Sequence, residues 1–289
     1  MNMKVDLCGV TLNNPVMTAS GTFGSGAEYA EFVDLNKLGA VVTKGVANVP
    51  WPGNPTPRVA EVYGGMLNAV GLQNPGIDLF VERDIPFLKQ FDTKIMVNVC
   101  GHSTEEYIEV VERLRDQPVD LLEINISCPN VKEGGIAFGQ DPKAVEAITK
   151  EMKKHAAQPV IMKLSPNVTD ITEMARAAEA GGADGLSLIN TITGMKIDIN
   201  RQKFVLANKT GGMSGPAIHP VAVRMVYQTA QAVRLPIVGM GGIMNAEDAI
   251  EMILAGATAV SVGTANFTNP HVTEEIVAGI RDYMERYQV

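Results

Sequence analysis

The chain has 289 residues, with 24 Lys and Arg against 32 Asp and Glu, and a net charge of −8. An acidic balance with no basic run argues against nucleic acid and against anionic membrane surfaces as partners. Few aromatics (5%) beside 28 glycines and 15 methionines suit an α/β protein of packed helices and parallel strands, not a β-sandwich.

From the N-terminus, residues 3–12 read as a short hairpin turning at Cys8-Gly9. The same stretch carries charges and no apolar run before a cleavage site, so no signal peptide is expected. Apolar, β-branched runs then recur along the chain at 15–19, 40–44, 95–99, 121–126, 160–164, 185–189, 237–240 and 259–262. Each is strand-sized, far short of a membrane span, and mostly apolar on both faces, as buried parallel strands are.

Helical patterns lie between many of these runs. Ser103 with Glu106 predicts a capping box, followed by Tyr107, Ile108, Val111 and Leu114 on one face. Asp141-Pro142, Asp170 with Glu173, His219-Pro220 and Asn245 with Asp248 open further helices, and Gly181-Gly182 closes one of them. Eight strands in this alternation predict a (β/α)8 TIM barrel, α/β in class, formed by one domain over 1–289. The hairpin would plug its bottom. Long insertions follow the second strand (45–74) and the sixth (191–215), on the face where barrel enzymes place their sites.

The three cysteines, Cys8, Cys100 and Cys128, form no CxxC pair, so no zinc or iron–sulfur site is expected on this chain. Widely spaced and odd in number, they fit reduced thiols in the cytoplasm. Cys8 and Cys100 read as structural. Cys128 follows the fourth strand into a loop carrying Gly134 and Gly135, where an accessible thiolate can act as base or nucleophile.

Polar and cationic residues gather at the strand ends: Thr43-Lys44-Gly45, Asn98, Glu123 and Asn125, Lys163, and Asn190-Thr191. A buried cation requires an anionic or strongly polar partner, so this convergence predicts a polar mouth for a flat, partly anionic ligand. Gly241-Gly242 and Gly263-Thr264 follow the seventh and eighth strands, where barrels commonly bind phosphate through backbone N–H groups.

The segments Asn14-Pro15-Val16-Met17-Thr18-Ala19-Ser20-Gly21-Thr22-Phe23-Gly24, Asn68-Ala69-Val70-Gly71-Leu72-Gln73-Asn74-Pro75-Gly76 and Asn125-Ile126-Ser127-Cys128-Pro129-Asn130 come in that order. Lys163-Leu164-Ser165-Pro166-Asn167, Asn190-Thr191 and Gly241-Gly242 follow them. The ordered set resembles the FMN-binding catalytic subunit of the class 1B dihydroorotate dehydrogenases, from about residue 5 to the end. The resemblance implies FMN contacts at Ser20, Lys44, Gly45, Asn98, Asn125, Lys163, Ile189, Gly215, Gly241, Gly242, Gly263 and Thr264. It implies dihydroorotate contacts at Lys44, Asn68, Ala69, Val70, Gly71, Leu72, Asn125, Asn190 and Thr191.

The same resemblance makes Cys128 the base that takes the C5 proton while a hydride leaves C6 for the flavin. Lys44 would then neutralise charge on substrate or flavin, and Lys163 would stabilise charge on the reduced flavin. It also implies a partner subunit carrying FAD and a [2Fe-2S] cluster that passes electrons to NAD, in a heterotetramer of two catalytic and two accessory chains.

Other readings remain open from the residues. Dihydropyrimidine dehydrogenases for uracil or thymine share the Asn-x-Ser-Cys-Pro and Lys-Leu-x-Pro-Asn-Val runs, and class 1A enzymes use fumarate. A Schiff-base aldolase on Lys163 or Lys44 would be colourless, and a non-catalytic flavin carrier would be yellow but inert.

Overall fold

Cys8 and Gly9 both take positive φ, 56° and 83°, the backbone of the tight two-residue turn that joins strands without splaying them. They connect β1 (Val5–Leu7) to β2 (Val10–Leu12), paired with Val5 opposite Leu12. This computed structural model describes residues 2–127 and 138–289.

Eight parallel strands close into a barrel: β3 (Val16–Thr18), β4 (Ala40–Val42), β7 (Lys94–Val99), β8 (Leu121–Asn125), β9 (Val160–Lys163), β10 (Gly185–Leu188), β15 (Ile237–Met240) and β16 (Ala259–Val262). They neighbour one another in chain order, and β16 returns to pair with β3. The eight expected strands are therefore present, most of them a residue or two shorter than their apolar runs.

Side chains alternate along each strand. Ile95, Val97, Leu122, Ile124, Val160 and Met162 face outward into the shell shared with the helices. Met17, Val42, Met96, Leu121, Ile161 and Val238 face inward and form a separate cluster inside the barrel. Leu7 and Leu12 of the hairpin belong to that inner cluster, and both are fully buried. The hairpin thus stoppers the N-terminal end of the barrel, as expected. Leu12→Ala is predicted to cost about 2–5 kcal/mol, the range for a buried leucine that leaves a cavity. An unchanged denaturation midpoint would mean that the barrel is sealed without the hairpin.

Cys8 sits at the turn with its Sγ 3.3 Å from the Asp184 carbonyl. Burial above all, and then the Asp184 carboxylate, push its thiol up to about 12. It is a structural thiol.

The helices start where the sequence places their caps. Asp141, Asp170 and Asn245 accept from the backbone N–H of Lys143, Thr172 and Asp248 at 3.1, 2.8 and 3.0 Å. At Ser103 the expected box is altered. Ser103 Oγ accepts from Glu106 N at 3.3 Å, but the Glu106 carboxylate takes the His102 N–H at 2.7 Å, one residue before the cap.

The two insertions do not remain separate loops. The first forms the hairpin of β5 (Val59–Val62) and β6 (Gly65–Asn68); the second contributes β11 (Ile192–Met195) and β14 (Thr210–Ser214). All four make one antiparallel sheet in the order β11-β14-β6-β5, with Asn68 opposite Gly212. Between β11 and β14, β12 (Ile197–Asp198) and β13 (Lys203–Phe204) form a small hairpin. The pairing of the two insertions was not anticipated: their strands are short and glycine-rich, with no strong alternation.

Candidate active site

The inward positions of the barrel change character from bottom to top. On β7 they run from Met96 to Asn98, on β8 from Leu121 through Glu123 to Asn125, and on β9 from Ile161 to Lys163. On β10 and β16 the upper inward positions are Ser187 and Ser261. The period of two that packs aliphatic side chains below therefore delivers polar ones to a single layer above.

All of these polar residues except Ser261 join in one network. Glu123, only 1% exposed, accepts from Asn98 Nδ2 at 2.6 Å and from Ser187 Oγ at 2.7 Å. Lys163 Nζ lies 3.6 Å from the same carboxylate, with both side chains buried. Asn125 Nδ2 donates to Asn98 Oδ1 at 3.3 Å, and Asn125 Oδ1 accepts from Ser127 N and Oγ at 3.3 and 3.1 Å. Ser127 Oγ in turn accepts from Asn190 Nδ2 at 2.8 Å, and Asn190 Oδ1 accepts from Thr191 N at 2.7 Å. Tyr107 braces the layer from the helix Thr104–Leu114, its hydroxyl donating to the Asn125 carbonyl at 2.7 Å.

Above this layer lies a cavity of about 390 Å³. Strand ends contribute Ser20, Lys44, Asn125, Lys163, Ile189 and Asn190-Thr191 to its wall. The first insertion contributes Asn68, Val70, Gly71 and Leu72, and Gly215, Gly241, Gly242, Gly263 and Thr264 complete the wall. Three sequence-predicted residues stand off the wall. Asn98 lies one hydrogen bond below it, as Asn125's partner. Gly45 backs onto Asn98, where an added Cβ would come within 3.0 Å of Asn98 Oδ1. Ala69 is fully buried, its carbonyl accepting from Asn54. Cys128 falls outside the described residues.

Other residues were given no role by the sequence. Glu123 and Ser187 organise the layer beneath the cavity, and Ser127 links Asn125 to Asn190. Met66, Met240, Ile243, Met244 and Phe267 add apolar wall. A glutamate inside the run Leu121-Leu122-Glu123-Ile124 was a legible signal, because a carboxylate in a buried strand requires partners.

The cavity's chemistry suits a flat ring with an anionic tail. Cationic Lys44 and Lys163 and the amides of Asn68, Asn125 and Asn190 stand around aliphatic Ile189 and Ile243. Gly215, Gly241 and Gly242 all take positive φ (111°, 129° and 71°), and an added Cβ on Gly242 would come within 2.8 Å of the Gly215 carbonyl. Backbone thus packs close on backbone there, and only glycine fits. Ser261 Oγ, in the wall, is buried without a partner among the described residues. A buried hydroxyl left open beside a cavity is one that a bound polar group would satisfy. These features fit FMN, and no metal-binding cluster of His, Cys, Asp or Glu occurs among the described residues.

Fold and cavity together define a (β/α)8-barrel enzyme with a site for a planar, anionic-tailed ligand at the C-terminal ends of its strands. A protein-family model, Dihydroorotate dehydrogenase, matches residues 2–284. Dihydroorotate dehydrogenase B (NAD(+)), catalytic subunit, of Lachnoclostridium phytofermentans is 72% identical over 289 residues, covering 100% of this chain and 96% of that one. The protein of the same name from Alkaliphilus metalliredigens is 66% identical over the same 289 residues. A crystal structure of DHODH from Eimeria tenella in complex with ferulenol matches with a TM-score of 0.83, covering 99% of this chain and 85% of that one. At 22% identity it speaks for the fold. The chain belongs to the dihydroorotate dehydrogenase family, in its class 1B branch.

Proposed function

We propose that this chain oxidises dihydroorotate to orotate in pyrimidine biosynthesis, with NAD as the final acceptor. The observation that carries the reading is full-length identity of 72% to a protein named as the catalytic subunit of the NAD(+) enzyme, in a chain whose cavity has the matching chemistry. FMN held between Lys163, Asn125 and the glycines after β15 and β16 would supply the two-electron acceptor for the hydrogen leaving C6. The chain acts in the cytoplasm with a separate electron-transfer subunit carrying FAD and a [2Fe-2S] cluster, two of each chain together. The printed name "catalytic subunit" supports a partner of some kind, and the absence of any CxxC pair in this chain supports placing the cluster elsewhere.

The chain's own residues do the rest. Both lone pairs of Asn125 Oδ1 are occupied by Ser127, and one of its N–H groups by Asn98, so Asn125 offers the cavity a single N–H donor. Such a donor suits a carbonyl on a pyrimidine ring. Lys44, at the end of β4, offers a cation to the substrate carboxylate. Asn68 and Asn190 both line the cavity and can add donors and acceptors for the ring. Cys128 takes the C5 proton.

An anaerobic visible spectrum of the purified chain tests this directly. A yellow protein whose flavin band bleaches with dihydroorotate, and not with dihydrouracil, is the expected result. A chain that neither carries nor takes up FMN would overturn the reading. Bleaching by dihydrouracil in preference would reassign the substrate to the uracil and thymine class.

A further inference from the structure

Glu123 is not part of the cavity wall, yet it pairs with the wall residue Lys163 and terminates the chain of hydrogen bonds that runs through Asn98, Asn125, Ser127 and Asn190. We propose that Glu123 is a positioning residue that sets the donor and acceptor sense of the substrate-reading amides. The proposal rests on the assignment of this cavity to dihydroorotate and orotate.

The argument is one of hydrogen-bond arithmetic. An asparagine amide can present either end to a neighbour, and its orientation is decided by what its partners can accept or donate. An ionised carboxylate can only accept. Asn98 therefore turns its NH2 group to Glu123, at 2.6 Å, and its oxygen away. That oxygen obliges Asn125 to turn its own NH2 toward Asn98, which leaves Asn125 Oδ1 for the N–H and O–H of Ser127. With its proton committed to Asn125, Ser127 Oγ receives Asn190 Nδ2, and the Asn190 oxygen is left for Thr191 N–H. Reversing the first amide would set NH2 against NH2 between Asn98 and Asn125, and Asn125 could follow only by turning its own NH2 to the backbone N–H of Ser127, which cannot accept. Either outcome loses a hydrogen bond, and the second would show the cavity an acceptor where Asn125 now shows a donor, so that a pyrimidine carbonyl would meet a lone pair.

Two further contacts hold Glu123 in the role. Ser187 donates to its other oxygen at 2.7 Å, and Lys163 stands 3.6 Å away as its counter-ion. The carboxylate thereby clamps β7, β8, β9 and β10 at one level. A buried ion pair that is merely structural can be replaced as a whole by apolar side chains of similar size at little cost. A polarity anchor could not be replaced in that way without altering recognition.

Two variants separate these roles. Glu123→Gln can keep its amide oxygen toward Asn98 and place its NH2 on Ser187 Oγ, so the order of donors survives. Glu123→Met fills the space but gives Asn98 nothing to face. Orotate affinity of the oxidised holoenzyme, read from the shift of its flavin absorption, is expected to fall about tenfold or more in the methionine variant, on the scale of one unsatisfied buried polar group. The glutamine variant is expected to stay within about threefold of the wild type, a difference below 1 kcal/mol. Steady-state turnover should show the same pattern in KM for dihydroorotate.

Equal orotate affinity in all three proteins would overturn the proposal, as would equal losses in both variants. Neutron diffraction from the wild-type holoenzyme reads the point without any variant, should the methionine form not fold. Deuterium on Asn98 Nδ2 facing a deuterium-free Glu123 is expected. A deuteron on Glu123, or the Asn98 oxygen turned toward it, would refute the inference. A wild-type holoenzyme that fails to bind orotate would instead remove the substrate assignment, and the neutron result would still judge the amide order.

Discussion

Replacing Cys128 by alanine is expected to leave FMN bound and to slow flavin reduction by dihydroorotate by about 10²- to 10⁴-fold, the usual contribution of a positioned general base. The expectation follows from what the rest of the site lacks. Loss of a hydride from C6 yields the ring double bond only if the C5 proton also departs, and that carbon acid requires a base. Among the described residues, the cavity wall holds lysines, asparagines, serines and threonines, and no His, Asp, Glu, Tyr or Cys. Protonated lysines and amides donate but do not take protons at neutral pH, and Lys163 is in addition committed to Glu123. The base must come from another segment, and Cys128 directly follows Ser127, which hydrogen-bonds two amides of the wall network.

Anaerobic stopped-flow reduction distinguishes the cases. For the wild type the rate should climb with pH, since the thiolate and not the thiol takes the proton. The climb should vanish in the alanine variant, since the titrating group is gone. An alanine variant that reduces its flavin at the wild-type rate would free Cys128 of the role.

How far the sequence reveals this protein differs between its parts. The barrel is legible because parallel strands buried on both faces write continuous apolar runs, and the caps Asp141, Asp170 and Asn245 mark where the helices between them begin. The plug is legible too, from Cys8-Gly9 between two short alternating strands. The sheet that joins the two insertions is not. Its strands pair residues some 140 positions apart, as Asn68 with Gly212, and their local sequences, Gly65–Asn68 and Thr210–Ser214, state no preference for one another. Long-range pairing of that kind is decided by tertiary packing, here around Leu67 and Leu206.

The site divides along the same line. Lys44, Asn125, Lys163 and Asn190 stand at strand ends, where the barrel's geometry makes any polar residue conspicuous. Glu123, gathered with them in the sequence, stands one level lower, and Ser187 at that level is passed over by a strand-end search. Their importance lies in which atoms meet across β8, β9 and β10, and register alone sets that: Ser187 lies opposite Lys163, and Lys163 opposite Asn125. Asn98, named as a flavin contact from resemblance, stands below the wall as the link between Glu123 and Asn125.

The buried pair gives the largest expected effect on stability. Lys163→Met is expected to destabilise the flavin-free chain by about 3–5 kcal/mol, the cost of removing one partner from a buried ion pair. Lys163 and Glu123 side chains are 6% and 1% exposed, so water cannot take the place of the missing ammonium. Asn98 and Ser187 continue to donate to the carboxylate but supply no counter-charge. A double variant, Glu123→Gln with Lys163→Met, removes that orphaned charge and should recover most of the loss. Urea denaturation of the wild type, both single variants and the double variant closes the cycle, with a coupling energy above about 1 kcal/mol expected for groups in one network. If Lys163→Met melts with the wild type, or if the two losses simply add, then Glu123 is not held by Lys163. The charge facing the cavity would in that case belong to Lys163 unshared, and the site would be more cationic than the pair implies.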